Sequence, residues 1–310
     1  MKKIVYMGTP DFAVEPLNAI AKEYEVCLVV SQPDKKVGRK KTLQETPVKK
    51  AAKELGIKVF QPENIKKDHQ KILDMKPDLI VTCAYGQIIP KELLDFPEYG
   101  CINIHASLLP ELRGGAPIHK AIIDGHKETG ITIMYMDEAM DSGDIIYQEV
   151  VKIEDDDNLE SLHDKLMHLG AHMITKILPV IFERKNERIP QDINKVTYAY
   201  NIKREDEHLD FNLTAKQIFN KIRGLSPFPS ANFILDDDEY KVYKAKILEN
   251  KYENHKNGEI VKIYKDGIGV KTADFEIVLL EIKPFGKRKM LVRDYLNGID
   301  KEKLLGKVLK

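Results

Sequence analysis

Apolar residues in the first half of the chain gather into short runs at residues 3–7, 26–30, 59–60, 79–83, 101–105 and 131–135, with helical patterns or connections between them. Such alternation predicts an α/β unit in which helices flank a mostly parallel, Rossmann-like sheet. Between residues 158 and 184 the period changes. Leu159, Leu162, Leu166, Leu169, Met173 and Ile177 recur every three or four positions, which predicts one long helix packed back on the sheet. Around 185–207 the pattern loosens into charged and turn residues, and a domain junction is expected there. A helix near 214–224 and the Pro227-Phe228-Pro229 break precede strand-like runs at 231–235, 240–247, 259–264, 268–272 and 276–282. Their number and spacing predict a small OB-like β-barrel. The expected division is therefore 1–185, a linker at 186–206, and a smaller C-terminal domain at 207–310, in keeping with a chain of 310 residues, longer than one core usually serves.

One stretch breaks the apolar rule. In Cys101-Ile102-Asn103-Ile104-His105 the period of two puts Asn103 and His105 on the same face of a strand. An amide and an imidazole are awkward in a strand covered on both faces, unless they sit at its carboxyl end and point into a crevice, where open α/β sheets bind ligands. Ser107-Leu108-Leu109-Pro110 stops the strand, Arg113-Gly114-Gly115-Ala116 supplies pliable backbone, and Pro117 opens a helix. A second strand end, after residue 135, leads into the acidic loop Met136-Asp137-Glu138-Ala139-Met140-Asp141-Ser142-Gly143-Asp144. The two strand ends are expected to meet.

Charge refines this picture locally. The formal net charge is zero, yet Lys35, Lys36, Arg39, Lys40, Lys41, Lys49, Lys50 and Lys53 face a single acid, Glu45, between residues 35 and 53. Thr46-Pro47 reads as a helix N-cap and first-turn proline that ends this basic loop. The closing region, 283–310, carries nine basic residues, among them Lys287, Arg288 and Lys289, against three acids. Most charge runs are solvated faces, but two such clusters also suit a phosphate backbone. Cys27, Cys83 and Cys101 lie far apart in apolar runs without ligand spacing and read as buried thiols, and His163, His168 and His172 lack the carboxylates or thiols that would complete a metal site. No metal is expected. Only Ile4 to Met7 are continuously apolar before Gly8, so the N-terminus reads as a first strand, and no run approaches membrane-spanning length. A soluble cytoplasmic protein is expected. The loop Gly8-Thr9-Pro10-Asp11-Phe12 follows the first strand, but GxGxxG is absent and no acid ends the second, which argues against a dinucleotide site.

Taken together, Gly8 to Ala13, Gln32-Pro33-Asp34, Ala84-Tyr85-Gly86, Cys101 to Pro110, Arg113 to Ile118, Glu128-Thr129-Gly130 and Met140 to Asp144 resemble, in order, the motifs of the folate-dependent formyltransferases, and over the whole chain those of the methionyl-tRNA formyltransferase family. The resemblance implies Asn103, His105 and Asp141 as the catalytic set and Ser107, Leu108, Leu109 and Pro110 as the segment associated with the formylated folate. It also implies Arg39, in an inserted loop, against the acceptor stem of initiator tRNA. Lys40 and Lys41 in that loop, with Lys287, Arg288 and Lys289, are the expected phosphate contacts. No tightly bound cofactor is implied: 10-formyltetrahydrofolate is a co-substrate, methionyl initiator tRNA the partner, and neither membrane nor DNA is involved. Lys40, Ala139 and Ser230 stand where the family often has glycine.

The chemistry asks for the same groups. Attack of an amine on the formyl carbon leaves negative charge on the formyl oxygen, for which the Asn103 amide and a protonated His105 are donors of a kind worth on the order of 3 kcal/mol each. Asp141 is expected to hold the imidazole charged and oriented. A formyltransferase acting on a small amine, such as a sugar nucleotide or purine precursor, or a hydrolase that deformylates the folate, would share this trio. Neither would need the basic segments. An RNA-binding protein without catalysis would need the basic segments and not the trio.

Overall fold

A computed structural model describes residues 2–38 and 41–310. In chain order the elements are β1 (Lys3–Gly8), α1 (Val14–Glu23), β2 (Glu25–Val30), β3 (Lys35–Val37), β4 (Thr42–Gln44), α2 (Pro47–Glu54), β5 (Val59–Phe60), α3 (Ile65–Asp68), α4 (Gln70–Leu73), β6 (Leu79–Cys83), α5 (Lys91–Asp95), β7 (Cys101–His105), α6 (Pro117–Ile123), β8 (Glu128–Tyr135), β9 (Ile145–Lys152), α7 (Leu159–Phe182), α8 (Ala215–Gly224), β10 (Ala231–Leu235), β11 (Asp238–Leu248), β12 (Ile260–Ile263), β13 (Ile268–Lys271), β14 (Glu276–Lys283), β15 (Met290–Leu291) and α9 (Val292–Asn297). By compactness the chain divides into one unit of Met1–Pro117, Glu128–Lys152 and His163–Tyr200, and a second of Ile118–Lys127, Ile153–Leu162 and Asn201–Lys310. Most of the segment expected as a linker thus counts with the first unit.

The first unit is built on a sheet in the order β5-β2-β1-β6-β7-β8-β9. Strands β5 to β7 along this path pair in parallel. Their sequences read as continuous apolar runs because both faces are covered: all five residues of β6 are buried. The sheet is mostly parallel, as expected, with one antiparallel edge, where β8 runs antiparallel to β7 and β9 antiparallel to β8. Sequence reading also missed β9, whose burial alternates loosely and leaves Glu149 and Val150 partly or largely in solvent. The long helix α7 packs on the sheet as expected. A Cβ at its Gly170 would lie 3.2 Å from Cγ2 of Ile104, so the missing side chain sets the close approach of helix to strand. Val5, Met7, Leu28, Val30, Ile80 and Leu93 belong to one core cluster of this unit.

The basic loop contains a short antiparallel hairpin, β3 with β4, and α2 begins as predicted: the Thr46 hydroxyl accepts from the Lys49 amide at 3.2 Å, with Pro47 in the first turn. Cys83 and Cys101 are buried, but Cys27 is only half-buried.

The second unit holds an antiparallel sheet in the order β10-β11-β14-β13-β12, with β15 on β14, and α8 opens with a reciprocal capping box between Thr214 and Gln217. Strand-to-strand pairing does not close this OB-like sheet into a barrel. The last residues serve both edges instead: Lys310 exchanges backbone hydrogen bonds with Ile234 of β10, while the Ile260 amide of β12 donates to the Lys307 carbonyl at 2.8 Å. Both edges are thus covered, which removes exposed ladders. Ser230, the residue in place of a family glycine, adopts φ +72, a conformation glycine enters at no steric cost. Ala139 is not among the residues with positive φ, and Lys40 lies outside the described residues.

Candidate active site

The site's fixed half is the carboxyl end of β6 and β7. Thr82 and Asn103 are register partners across the parallel pair, and the Thr82 hydroxyl donates to Asn103 Oδ1 at 2.8 Å. With its carbonyl oxygen engaged, the Asn103 amide presents its Nδ2 hydrogens. Two residues on, His105 is buried and its Nε2 lies 3.1 Å from the Leu112 carbonyl. A carbonyl only accepts, so the proton is on Nε2 and that nitrogen donates. The other nitrogen, Nδ1, lies 3.8 Å from Asp141 Oδ2. The structure therefore sets His105, on the same face of β7 as Asn103, in ion-pair range of Asp141, while the hydrogen bond that fixes the imidazole plane comes from the Leu112 carbonyl, since 3.8 Å is too long for one.

The second half is made of loops. Asp141 has φ +50, a left-handed conformation that an aspartate enters at a cost of order 1 kcal/mol. Three contacts hold it there. Its Oδ2 accepts from the Gly114 amide at 2.8 Å, its backbone carbonyl accepts from Gln191 Nε2 at 2.9 Å, and the same Nε2 donates to the Gly143 carbonyl at 2.8 Å. Gln191 Oε1 meanwhile accepts from Arg113 Nη2 at 2.7 Å and from Nε at 3.1 Å. One side chain in the expected linker thus joins the loop after β7 to the loop after β8. Backbone bonds reinforce it: Arg113 donates to Thr197, Ala199 to Arg113 and Ala116 to Ala199. A Cβ at Gly114, φ +122, would meet the Ala199 carbonyl at 2.6 Å, so only glycine permits this approach. Sequence reading missed Gln191 and residues 197–199, whose backbone carbonyls and amide leave no trace in residue type.

Ser107 to Pro110 form a tight turn directed inward. Ser107 is fully buried and its hydroxyl donates to the Glu111 carbonyl at 2.7 Å, while Leu109 is buried against Met134 and Ile145. Leu108 is half-buried, and its Cδ2 would touch a Cβ at Gly130. Thr132 pins the turn, donating to the Ser107 carbonyl at 2.6 Å and accepting from the Leu109 amide at 3.1 Å, and Gln148 Nε2 donates to the Leu109 carbonyl at 2.9 Å. With the Ser107, Leu108 and Leu109 carbonyls and the Leu109 amide engaged inside the protein, what this segment offers a ligand is chiefly the half-buried Leu108 side chain. Beside Asn103, Thr82 also contacts the Met136 sulfur at 3.1 Å, and Met136 walls a depression with Lys91, Leu94, Asp95, Asp137, Glu138 and Ala139.

Burial raises the Cys83 thiol to about 12 and pushes Cys101 up further, so both strand cysteines are thiols and not nucleophiles at neutral pH. Among the described residues no group of three or more His, Cys, Asp or Glu side chains is placed to hold a metal. Nor is any helix, among those residues, long and apolar enough to cross a membrane. On α7, His163 packs edge-on against Phe12 and His168 pairs with Glu15.

The basic candidates divide. Arg39 and Lys40 lie outside the described residues. Lys41 is exposed in the β3–β4 turn at φ +48, but Lys49 is engaged by Asp34 at 2.5 Å and Lys53 by Glu45. In the second unit Lys287 and Arg288 are exposed, whereas Lys289 pairs with Glu281 at 3.2 Å.

A mostly parallel sheet whose strand β7 carries Asn103 and His105 toward its carboxyl end, with an aspartate loop beside them, defines a formyl-transferring class. A family model described as formyl transferase matches residues 2–178, and one described as formyl transferase, C-terminal domain, matches residues 201–300. Two relatives, both named methionyl-tRNA formyltransferase, are similar along their whole length: one from Staphylococcus epidermidis is 48% identical over 312 residues and one from Staphylococcus aureus 47% identical over 312 residues, each match covering 100% of both chains. The chain belongs to the methionyl-tRNA formyltransferase family. The fold also matches the solved structure of an N-formyltransferase from Helicobacter canadensis in complex with folinic acid and dTDP-3-aminofucose, with TM-score 0.69, 19% identity and coverage of 90% of this chain and 99% of that one.

Proposed function

We propose that the protein transfers the formyl group of 10-formyltetrahydrofolate to the α-amino group of methionyl initiator tRNA, in the cytoplasm. The observation that carries this reading is the approach of Asp141, on a loop tied by Gln191, to His105, which shares a face of β7 with Asn103. The depression beside Met136, whose wall carries Lys91, Asp95, Asp137 and Glu138 with Leu94, and the segment Ser107 to Pro110 are our candidates for the folate's binding surface.

In the reaction the amine lone pair adds to the formyl carbon as the carbonyl π electrons move to oxygen. Asn103 Nδ2, fixed in direction by Thr82, donates to that oxygen, a contribution of order 3 kcal/mol. The ammonium proton passes to Asp141, directly or through one water. The C–N10 bond then breaks, and N10 takes a proton from Nδ1 of the imidazolium form of His105, giving the formamide and tetrahydrofolate. An α-amino group titrates near about 8, and its ester lower, so much of the acceptor already enters as free amine. Asp141 then needs to supply only modest basicity.

Incubation with 10-formyltetrahydrofolate and, in parallel, methionyl initiator tRNA, uncharged tRNA and small amines including an amino-sugar nucleotide tests the reading. Formylation of the charged tRNA alone is expected. Turnover of the small amines at an equal rate, or release of formate without an acceptor, would overturn it.

A further inference from the structure

We infer that Tyr198 and Tyr200 form a stacking platform for the unpaired bases at the 3′ end of the RNA that carries the reactive amine. This rests on the function proposed above and adds to it a binding surface. The two tyrosines belong to the stretch that sequence reading left as linker. There the chain is extended: Tyr198 forms a parallel bridge with Arg113, and the period of two turns Ala199 inward, fully buried, and both tyrosines outward. Their rings lie 5.6 Å apart between centroids and 6° from parallel, yet 47% of Tyr198 and 68% of Tyr200 remain exposed.

Two parallel aromatic rings left in solvent hold an open π-face and have already given up the freedom to rotate independently. That is the arrangement that binds single-stranded nucleic acid without reading its sequence, each base–ring stack being worth a factor of roughly 5 to 150 in affinity. Position favours RNA over another occupant. Arg113, bridged to Tyr198, precedes Gly114, whose amide holds the Asp141 carboxylate. A chain one residue removed from the acid that receives the amine's proton is met first by whatever is attached to that amine. In an aminoacyl-tRNA this is the terminal ribose and the unpaired nucleotides behind it. Lys195, exposed in the same stretch, adds a cation for the phosphates between them.

The test uses the full chain and a tetraribonucleotide matching the tRNA 3′ end, with 2-aminopurine as its last base, and a second oligonucleotide abasic at every position. Stacking on the wild-type rings quenches the fluorophore. Tyr200→Ala and Tyr198→Ala are expected to weaken binding of the first oligonucleotide, and kcat/KM for methionyl-tRNA, about tenfold, with kcat at saturating tRNA changed less than twofold. Tyr200→Phe and Tyr198→Phe, which keep the ring, are expected to match wild type, and the abasic oligonucleotide to bind all five proteins alike. Wild-type binding by the alanine variants, or an equal loss with the abasic oligonucleotide, overturns the platform. Failure of the wild-type protein to formylate methionyl-tRNA overturns the proposed function separately, and the oligonucleotide comparison still decides whether the rings stack on bases.

Discussion

Asn103 and His105 on one side and Asp141 on the other reach the same point by different means. The first two stand two residues apart on one strand, β7, which is paired on both sides and has Thr82 in register beside Asn103. Their positions follow from main-chain ladders and an apolar core that cannot shift without unpacking. Asp141 stands on a loop at positive φ and is held by a single amide and a single glutamine. The difference teaches where precision comes from: in the reaction proposed above, rigid pairing places the donors to the formyl oxygen and to N10, while polar ties place the proton acceptor.

Removing a group from the fixed half gives the largest effect. Asn103→Ala is expected to lower kcat by about 10²–10³, the usual cost of one lost donor to a developing oxyanion, while the unfolding midpoint in urea stays nearly unchanged because the strand is held by its neighbours. A large loss of stability with a small loss of rate would reverse the comparison. Untying the other half is expected to cost less: Gln191→Ala removes the donors to Asp141 and Gly143 and the acceptor of Arg113 at once, and kcat should drop about tenfold with KM for folate less affected, read from steady-state kinetics. Gln191→Glu keeps the Arg113 contacts and loses both donors, so it should recover only part of the rate.

The smallest effect concerns another tied loop. The Asp34 carboxyl, which receives hydrogen bonds from Gln61 and Lys49, is held below the usual carboxylate range. A depressed folded value stabilises above the unfolded one, near about 4, and this contribution disappears as pH falls through the lower folded value. Hydrogen exchange in the β3–β4 hairpin should therefore quicken, relative to β6, as pH is lowered below about 4 and intrinsic exchange is corrected for. Asp34→Asn should show the faster exchange at neutral pH with no further step on acidification.

The same contrast explains what could be read from residue order. Strands 79–83, 101–105 and 231–235 agree with the structure to the residue, because each is a largely buried segment with apolar residues at alternate positions or throughout. Asn103 and His105 stand out by one polar alternation and the acidic loop by its place after a strand, while the choice of Asp141 within that loop rests on family resemblance. Leu112 was not, since it orients His105 with a carbonyl that every residue possesses. Gln191 was hidden for a related reason: an amide in a polar stretch looks like solvent-facing filler until the fold sets it between two loops. The partly exposed edge strand β9 lacks the continuous burial that marks an inner strand.

The lacing of residues 189–199 into the first unit has a practical meaning for anyone who would cut the molecule in two. The matched N-terminal family region ends at residue 178, and a fragment trimmed there or at 185 would keep the whole seven-stranded sheet and yet lose the stitches at Ile189, Gln191, Thr197 and Ala199. It should fold and do nothing. A fragment continued through Tyr200 keeps those stitches, so a chimera that borrows another tail is best spliced after that residue.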